Sequence, residues 1–210
     1  MSFYRNRIYP HIVAALGNPK PIQKIRERVI PLAAGTVLEI GIGPGVNFPY
    51  YDCTRVNKIY ALEPNPGMVA KAEIERRRSK LGIEFLDLPG EKIPLSEGSV
   101  DTVVSTFTLC TIPGVADAIR GIGRVLKPGG KFIFFEHGLA PDASVRRWQT
   151  RTEPLFQWAF EGCHVTRDIP LLIREGGFKV EEIETGYLAP FPKCGSYCFW
   201  GVASPTVSRI

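Results

Sequence analysis

The sequence predicts an α/β protein built on a doubly wound sheet of seven strands. The sheet is expected to be mostly parallel, with one antiparallel strand at its edge and helices on both faces. Three observations predict it. Apolar positions alternate between strand-like runs and helix-like spacing up to residue 137. The first such run ends in a glycine-rich loop, GIGPG at 41–45, where open α/β sheets hold ligands. Two further strand-like segments close the chain as a hairpin.

Residues 22–31 read as a helix closed by Pro31. TVLEIG, 36–41, is near-continuously apolar, the pattern of a strand buried on both faces. The glycine loop after it precedes an expected helix. NKIYALE, 57–63, is the second strand. NPGMVAKAEIERRRSK, 65–80, is a helix with Pro66 in its first turn. GIEFLDL (82–88) and SVDTVVSTFTL (99–109) are strands three and four. GVADAIRGIGRVL, 114–126, has helical spacing weakened by Gly121 and Gly123. KPGG is a turn, and KFIFFEHG, 131–138, is strand five. Beyond it, SVRRWQTRTEPLFQWAF (144–160) has helical spacing broken by Pro154. IPLLIREGG (169–177) is a short helix ending in glycine. FKVEEIETGY and SYCFWGVASP form the hairpin.

At 210 residues the chain is one domain. Its expected parts are an N-terminal lid and basic helix (1–30), a ligand-binding core (36–137), and a cap with the hairpin (138–210). Hydrophobic content of 44% and charged content of 22% are those of a globular protein. No apolar run reaches the roughly 18 residues that span a bilayer, and the first residues lack a signal-peptide cleavage pattern. Five cysteines without a secretion signal point to reduced thiols in the cytoplasm. Cys194 and Cys198, with Cys163 and His164 as the nearest soft neighbours in sequence, lack the paired spacing of a zinc site, so no metal is expected. The net charge is +5, and Arg5, Arg7, Lys20, Lys24, Arg26 and Arg28 are opposed only by Glu27. That segment reads as a solvated helix face with scope for contact with a membrane surface. Without aromatic stacking platforms, nucleic acid is not expected as a partner.

The glycine loop distinguishes between cofactors. A dinucleotide fingerprint wants glycine at its first, third and sixth positions, and the sixth here is Val46. Gly41, Gly43 and Gly45 stand at one, three and five, with Ile42 and Pro44 between them. That pattern, preceded by Glu39, favours S-adenosylmethionine (SAM) over NAD. SAM has no pyrophosphate to cradle, but it carries an ammonium that a strand-end carboxylate such as Glu39 can meet. Glu63, next to Pro64 at the end of strand two, is placed for the ribose hydroxyls. The turn near Pro89–Glu91 is the expected adenine site, through the amides of Gly90 and Glu91 or the Glu91 side chain. Thr106, at the end of strand four, is a candidate for the methionine end.

VLEIGIGPG, YALEPN, GEKIPLSEGSVDTVVSTFTLC and RVLKPGGKFIFFEHG together resemble the class I SAM-dependent methyltransferases of the methyltransferase-11 type, over about residues 30–180. STFTLCTI, FFEHG, WQ and EGCHVTRDI resemble, within them, the methyltransferase-like alkyl-thiol S-methyltransferases of endoplasmic reticulum and lipid droplets and their short bacterial relatives. The resemblance implies a Rossmann-like fold, SAM as cofactor, and methyl transfer to the sulfur of a small lipophilic thiol. It departs in two places. The hydrophobic N-terminal anchor of the animal members has no counterpart here, so the expectation is a cytoplasmic chain with scope for peripheral membrane contact. Pro89 stands where many methyltransferases have Asp.

A thiol acceptor must lose its proton, because the thiolate is the nucleophile and a free thiol has a pKa near 8.5. Of three histidines, His137 at the end of strand five and His164 in the cap are the candidates to touch the acceptor. Glu136 is adjacent but points to the other face, where it could steady the loop. Trp148, Phe156, Trp158 and Phe160 read as core packing or as an apolar wall of the acceptor pocket. Tyr4 and Tyr9 are expected in the lid, and Arg146, Arg147 and Arg167 read equally as a draw for an anionic substrate or as a solvated surface. Other readings stay open: an O- or N-methyltransferase acting on a quinone or lipid amine, or a SAM-binding module without turnover.

Overall fold

The computed structural model describes residues 3–206. Seven strands form one sheet: β1 (Gly35–Ile40), β2 (Val56–Leu62), β3 (Ile83–Leu86), β4 (Val100–Thr106), β5 (Leu126–His137), β6 (Phe178–Tyr187) and β7 (Tyr197–Pro205). Their order is β3-β2-β1-β4-β5-β7-β6. The β1, β2, β3, β4 and β5 pairings are parallel, and β7 runs antiparallel to both of its neighbours. The helices are α1 (Tyr9–Leu16), α2 (Lys20–Val29), α3 (Pro66–Arg78), α4 (Val115–Val125), α5 (Ala143–Ala159) and α6 (Ile169–Glu175), with a π-helical turn at Tyr4–Ile8 ahead of α1.

Alternate side chains of each central strand enter two separate cores. Val37, Val104, Ile133 and Phe135 pack under α2 with Ile22, Ile25 and Val29. Leu38, Val103, Phe132 and Phe134 pack on the other face under Ile119 and Ile122 of α4 and Ile173 of α6. Burial on both faces explains why these strands read as unbroken apolar runs. Each fully buried Phe of β5 contributes roughly 1.5–3 kcal/mol of transfer free energy. The α3 start is written locally: the Asn65 side chain accepts from the Gly67 and Met68 amides, at 2.9 and 3.3 Å, and Pro66 needs no donor.

Five details differ from the sequence expectation. The antiparallel strand is not at the edge: α5 and α6 carry the chain over the sheet, β6 therefore runs with β5, and β7 fills the slot between them. The first long helix, α2, starts at Lys20 and gives way after Val29 to a 3₁₀ turn that contains Pro31. Only a 3₁₀ turn at Phe48–Tyr50 follows the glycine loop. KPGG is absorbed into β5 as an irregularity, with the register shifting between Val100 and Thr102 and Gly129 at φ +77°. Finally, α5 runs straight through Pro154. Pro154 and Thr150 are both exposed, so water can satisfy the carbonyl that loses its donor. Among the described residues no helix is long and apolar enough to cross a membrane.

Candidate active site

The strand order reverses between β1 and β4, so a crevice opens beyond their carboxyl ends. The glycine loop lies at its centre. Gly41, Gly43 and Gly45 have φ of +67°, +54° and +80°, a conformation that side-chain-bearing residues rarely adopt. Their surroundings differ. A Cβ on Gly41 would lie 2.2 Å from Thr108 Oγ1, and one on Gly45 would lie 3.1 Å from the Ala72 Cα. A Cβ on Gly43 would meet nothing within 4 Å. Two of the glycines therefore let the protein pack on itself, and Gly43 alone faces free space. Ile42 is buried between them.

Glu63 holds this loop. One oxygen accepts from the Gly43 amide and the other from the Asn65 amide, both at 2.9 Å. Each carboxylate oxygen has a second lone pair to offer. Burial pushes the Glu63 carboxyl up to about 7, against the lowering effect of the two amides. Pro64 sits between Glu63 and the helix-capping Asn65.

Glu39 is fully buried. It accepts from Asn47 Nδ2 at 2.6 Å and from the Tyr51 hydroxyl at 2.7 Å, and burial pushes it too up to about 7. Asn47 also donates to Thr106 Oγ1 at 2.9 Å and accepts from Arg26 Nε at 2.8 Å. Arg26, read from sequence as part of a solvated basic face, is thus 2% exposed and belongs to the floor of the crevice. Its remaining bonds go to the Gly17 carbonyl and to Asn18 Oδ1. Asn47, Tyr51 and Arg26 were invisible to motif reading, since their relation to Glu39 is tertiary.

In the turn after β3, Gly90 lets Ile112 approach: a Cβ there would lie 2.5 Å from its Cδ1. The Glu91 side chain turns away, accepting from the Gly114 amide at 3.1 Å at the start of α4.

The crevice beyond β4 and β5 is organised by Glu136, which is fully buried at the end of β5. It accepts from the Ser105 hydroxyl at 2.7 Å and from the amides of Thr108 and Cys110 at 3.1 and 3.2 Å. This grip shapes the turn after β4, in which Phe107 takes φ +54°. Phe107 packs on Phe135 and on His137, at 4.5 Å between ring centres in each case. His137 Nδ1 lies 3.7 Å from Cys163 Sγ and 4.0 Å from Cys110 Sγ, and the two sulfurs are 3.7 Å apart. The contact with Cys110 holds the Cys163 thiol well below its usual range, with His137 adding to it, whereas Cys110 is pushed up.

The two candidate histidines therefore differ. His137 faces this sulfur pair. His164 is held on the cap, its Nδ1 2.7 Å from Glu153 Oε1 and 3.0 Å from Gln157 Nε2. Arg167 is committed to carbonyls, those of Leu109 and Ile112, and is not free for substrate. Phe156 and Phe160 do pack beside the two cysteines. Trp148 and Trp158 do not: they are 59% and 76% exposed, and Arg146 and Arg147 on the same helix also face solvent.

The N-terminal segment closes the crevice from above. The Arg5 carbonyl accepts from Asn65 Nδ2 at 3.0 Å, and a Cβ on Gly67 would lie 2.1 Å from the Asn6 carbonyl oxygen. On the far side the Tyr4 hydroxyl donates to the Ala159 carbonyl at 3.2 Å, and Arg5 pairs with Glu161 at 3.2 Å. Tyr9 lies between the two halves. Its hydroxyl is pushed well up, first by burial and then by the charges of Glu161, Cys110, Cys163 and Glu63.

Residues 38–134 match the family described as Methyltransferase domain. The thiol S-methyltransferase TMT1B of Homo sapiens is 33% identical over 178 residues, 76% of this chain and 70% of the relative. The chain belongs to the TMT1 family of class I SAM-dependent methyltransferases. Homo sapiens TMT1A is likewise 33% identical, over 152 residues, 69% of this chain and 60% of its own length. The chain thus spans 60–70% of the length of these family members. Among solved structures, the protein bound to the Trm112 methyltransferase activator of Haloferax volcanii superposes with a TM-score of 0.72 at 16% identity, over 97% of this chain and 96% of that one. At that identity the likeness is one of fold: the seven-stranded Rossmann-like methyltransferase sheet.

Proposed function

We propose that this chain transfers the methyl group of SAM to the sulfur of a small lipophilic thiol. The whole chain serves as one methyltransferase domain in this reading, with 1–30 as lid, 36–137 as cofactor core and 138–210 as cap. Gly41, Ile42, Gly43 and Gly45 form the loop against the sugar, and Gly43 supplies the free space. Glu63 takes the ribose hydroxyls on its second lone pairs. Pro64 and the Gly90–Glu91 backbone border the adenine. Glu39 and Thr106, steadied by Asn47, face the methionine end.

The observation that carries the acceptor assignment is the convergence of His137, Cys110 and Cys163 at the carboxyl ends of β4 and β5. That soft, half-dry corner adjoins the apolar rings of Phe107, Phe156 and Phe160, and suits a lipophilic thiol. In the reaction the acceptor sulfur loses its proton and its electron pair forms the new bond to the methyl carbon. The bond from that carbon to the SAM sulfonium breaks, and its pair leaves a neutral thioether. The chain's part is alignment, exclusion of water and withdrawal of that proton, with His137 at the acceptor and His164 positioning the cap.

We place this activity in the cytoplasm, with peripheral contact to membranes from which the acceptor partitions. Trp148, Arg151, Leu155 and Trp158 recur at i+3 and i+4 along one exposed stripe of α5, the arrangement of an interfacial helix. A labelled-methyl assay across alkyl thiols, phenols, amines and quinols tests the acceptor. Label in thioether supports the reading; label in amines or phenols alone refutes it.

A further inference from the structure

The geometry points to a metal site at Cys110, His137 and Cys163, one that holds a zinc-class ion and leaves its fourth position for the acceptor thiolate. The three residues come from different places: the turn after β4, the end of β5, and the loop between α5 and α6. Their separation in sequence makes the convergence a property of the fold.

The triangle has the right size. Zinc bonds sulfur at about 2.3 Å and imidazole nitrogen at about 2.0 Å, so tetrahedral angles space two sulfurs about 3.8 Å apart and sulfur from nitrogen about 3.5 Å. The observed edges are 3.7 Å between the sulfurs and 3.7 and 4.0 Å from sulfur to Nδ1. Contraction of a few tenths of an ångström at His137 completes the geometry. His137 is half-buried, whereas both cysteines are buried. The side open to a fourth ligand is therefore the histidine side. Three protein ligands and one exchangeable position is the pattern of a catalytic zinc centre, and two thiolates with one imidazole is one of its ligand sets.

The surroundings support a charged centre. Two thiolates and a divalent cation sum to zero, which an apolar shell of Val165, Phe156 and Phe160 tolerates better than two uncompensated anions. With the ion in place His137 is a ligand rather than a base. A thiol entering the fourth position releases its proton to water and remains a nucleophilic thiolate. This last role rests on the thiol-acceptor reading; the metal site does not.

The test begins with the full chain, stripped by chelator under reducing conditions and titrated with zinc chloride alone. Neither SAM nor acceptor is present, so the outcome is independent of the substrate assignment. We expect about one zinc per chain by mass spectrometry, with affinity falling roughly 10-fold or more in Cys163→Ser. Cys53→Ser, at an exposed cysteine, serves as the control that keeps its zinc. Cobalt loaded into the unmodified protein gives a second readout that does not depend on a variant folding. Thiolate-to-cobalt charge-transfer bands are expected, and the visible bands should move when an alkyl thiol is added. Zinc bound equally by Cys163→Ser, or cobalt spectra without thiolate bands, would overturn the metal site. So would a Cys110–Cys163 disulfide combined with no zinc uptake after reduction, which would mark the pair as redox-active instead. Cobalt bands indifferent to added thiol would overturn the fourth-ligand role alone.

Discussion

Glu63 should make SAM affinity depend on pH near neutrality. Its carboxyl is pushed up to about 7 from an ordinary 4.5, with burial as the main cause. Ribose hydroxyls donate more strongly to the charged form than to the neutral one. Below pH 7 the free protein carries the proton, and binding must expel it. One unit below, at about pH 6, the dissociation constant should therefore be about tenfold weaker than its high-pH limit, or about 1.4 kcal/mol. Stability of the free chain runs the other way. A carboxyl whose folded value lies above its unfolded value stabilises the fold fully below about pH 4.5, and that contribution is lost as pH rises to about 7, by about 3 kcal/mol for Glu63. Glu39, also pushed up to about 7, adds a parallel term. Calorimetric titration with SAM at several pH values, in buffers of different ionisation enthalpy, reads affinity and proton release together. Glu63→Gln removes the charge and sets an amide against one of the two backbone donors. It should weaken binding at pH 8 by about 1–3 kcal/mol, and it should release fewer protons, with the residual dependence due to Glu39. Unchanged affinity and proton release in that variant would refute the placement of Glu63 at the ribose.

The other predictions concern the loop, the lid and the surface of α5. Gly43→Ala should weaken SAM binding and cost about 1–2 kcal/mol of stability through its φ of +54°, without any collision, whereas Gly41→Ala should lower the melting temperature further by also colliding with Thr108. Gly67→Ala places a Cβ 2.1 Å from the Asn6 carbonyl oxygen, so it should detach the N-terminal segment. Faster SAM release in stopped flow and faster tryptic cleavage at Arg5 and Arg7 would register this. Trp148→Glu with Leu155→Glu should abolish cosedimentation with anionic vesicles and leave turnover of a water-soluble thiol unchanged, since both side chains are exposed.

The glycine-loop side of the crevice was legible because its parts are local. A strand, a glycine loop and a strand-end acid are adjacent in sequence, and Glu63 reaches back only to Gly43. The floor was not legible, because Arg26, Asn47 and Glu39 meet through the packing of α2 on the sheet. Arg26 looked solvated since charge alone gives no sign of a buried partner. Composition likewise misled at Trp148 and Trp158: aromatic residues on a helix read as a wall, and only the helix rotation decided that they face outward. A proline on an exposed helix face, as Pro154 is, costs less than one under a core, and sequence alone does not give the face. The Cys110–Cys163 pair escaped notice because metal-ligand spacing rules are local, while these residues are brought together by the turn that Glu136 holds.

The order of the last two strands sets the order of assembly. β7 ends the described chain and wedges between β5 and β6, so the side of β5 facing it stays unpaired until residues 197–205 have been synthesised. His137, paired in register with Cys198, gains its final neighbour only then. A ribosome-bound chain lacking this segment presents a bare apolar edge at the very strand that carries Glu136 and His137. Closure of that edge therefore waits on β7, and a chain cut back past Tyr197 should yield aggregates in place of a weakened enzyme.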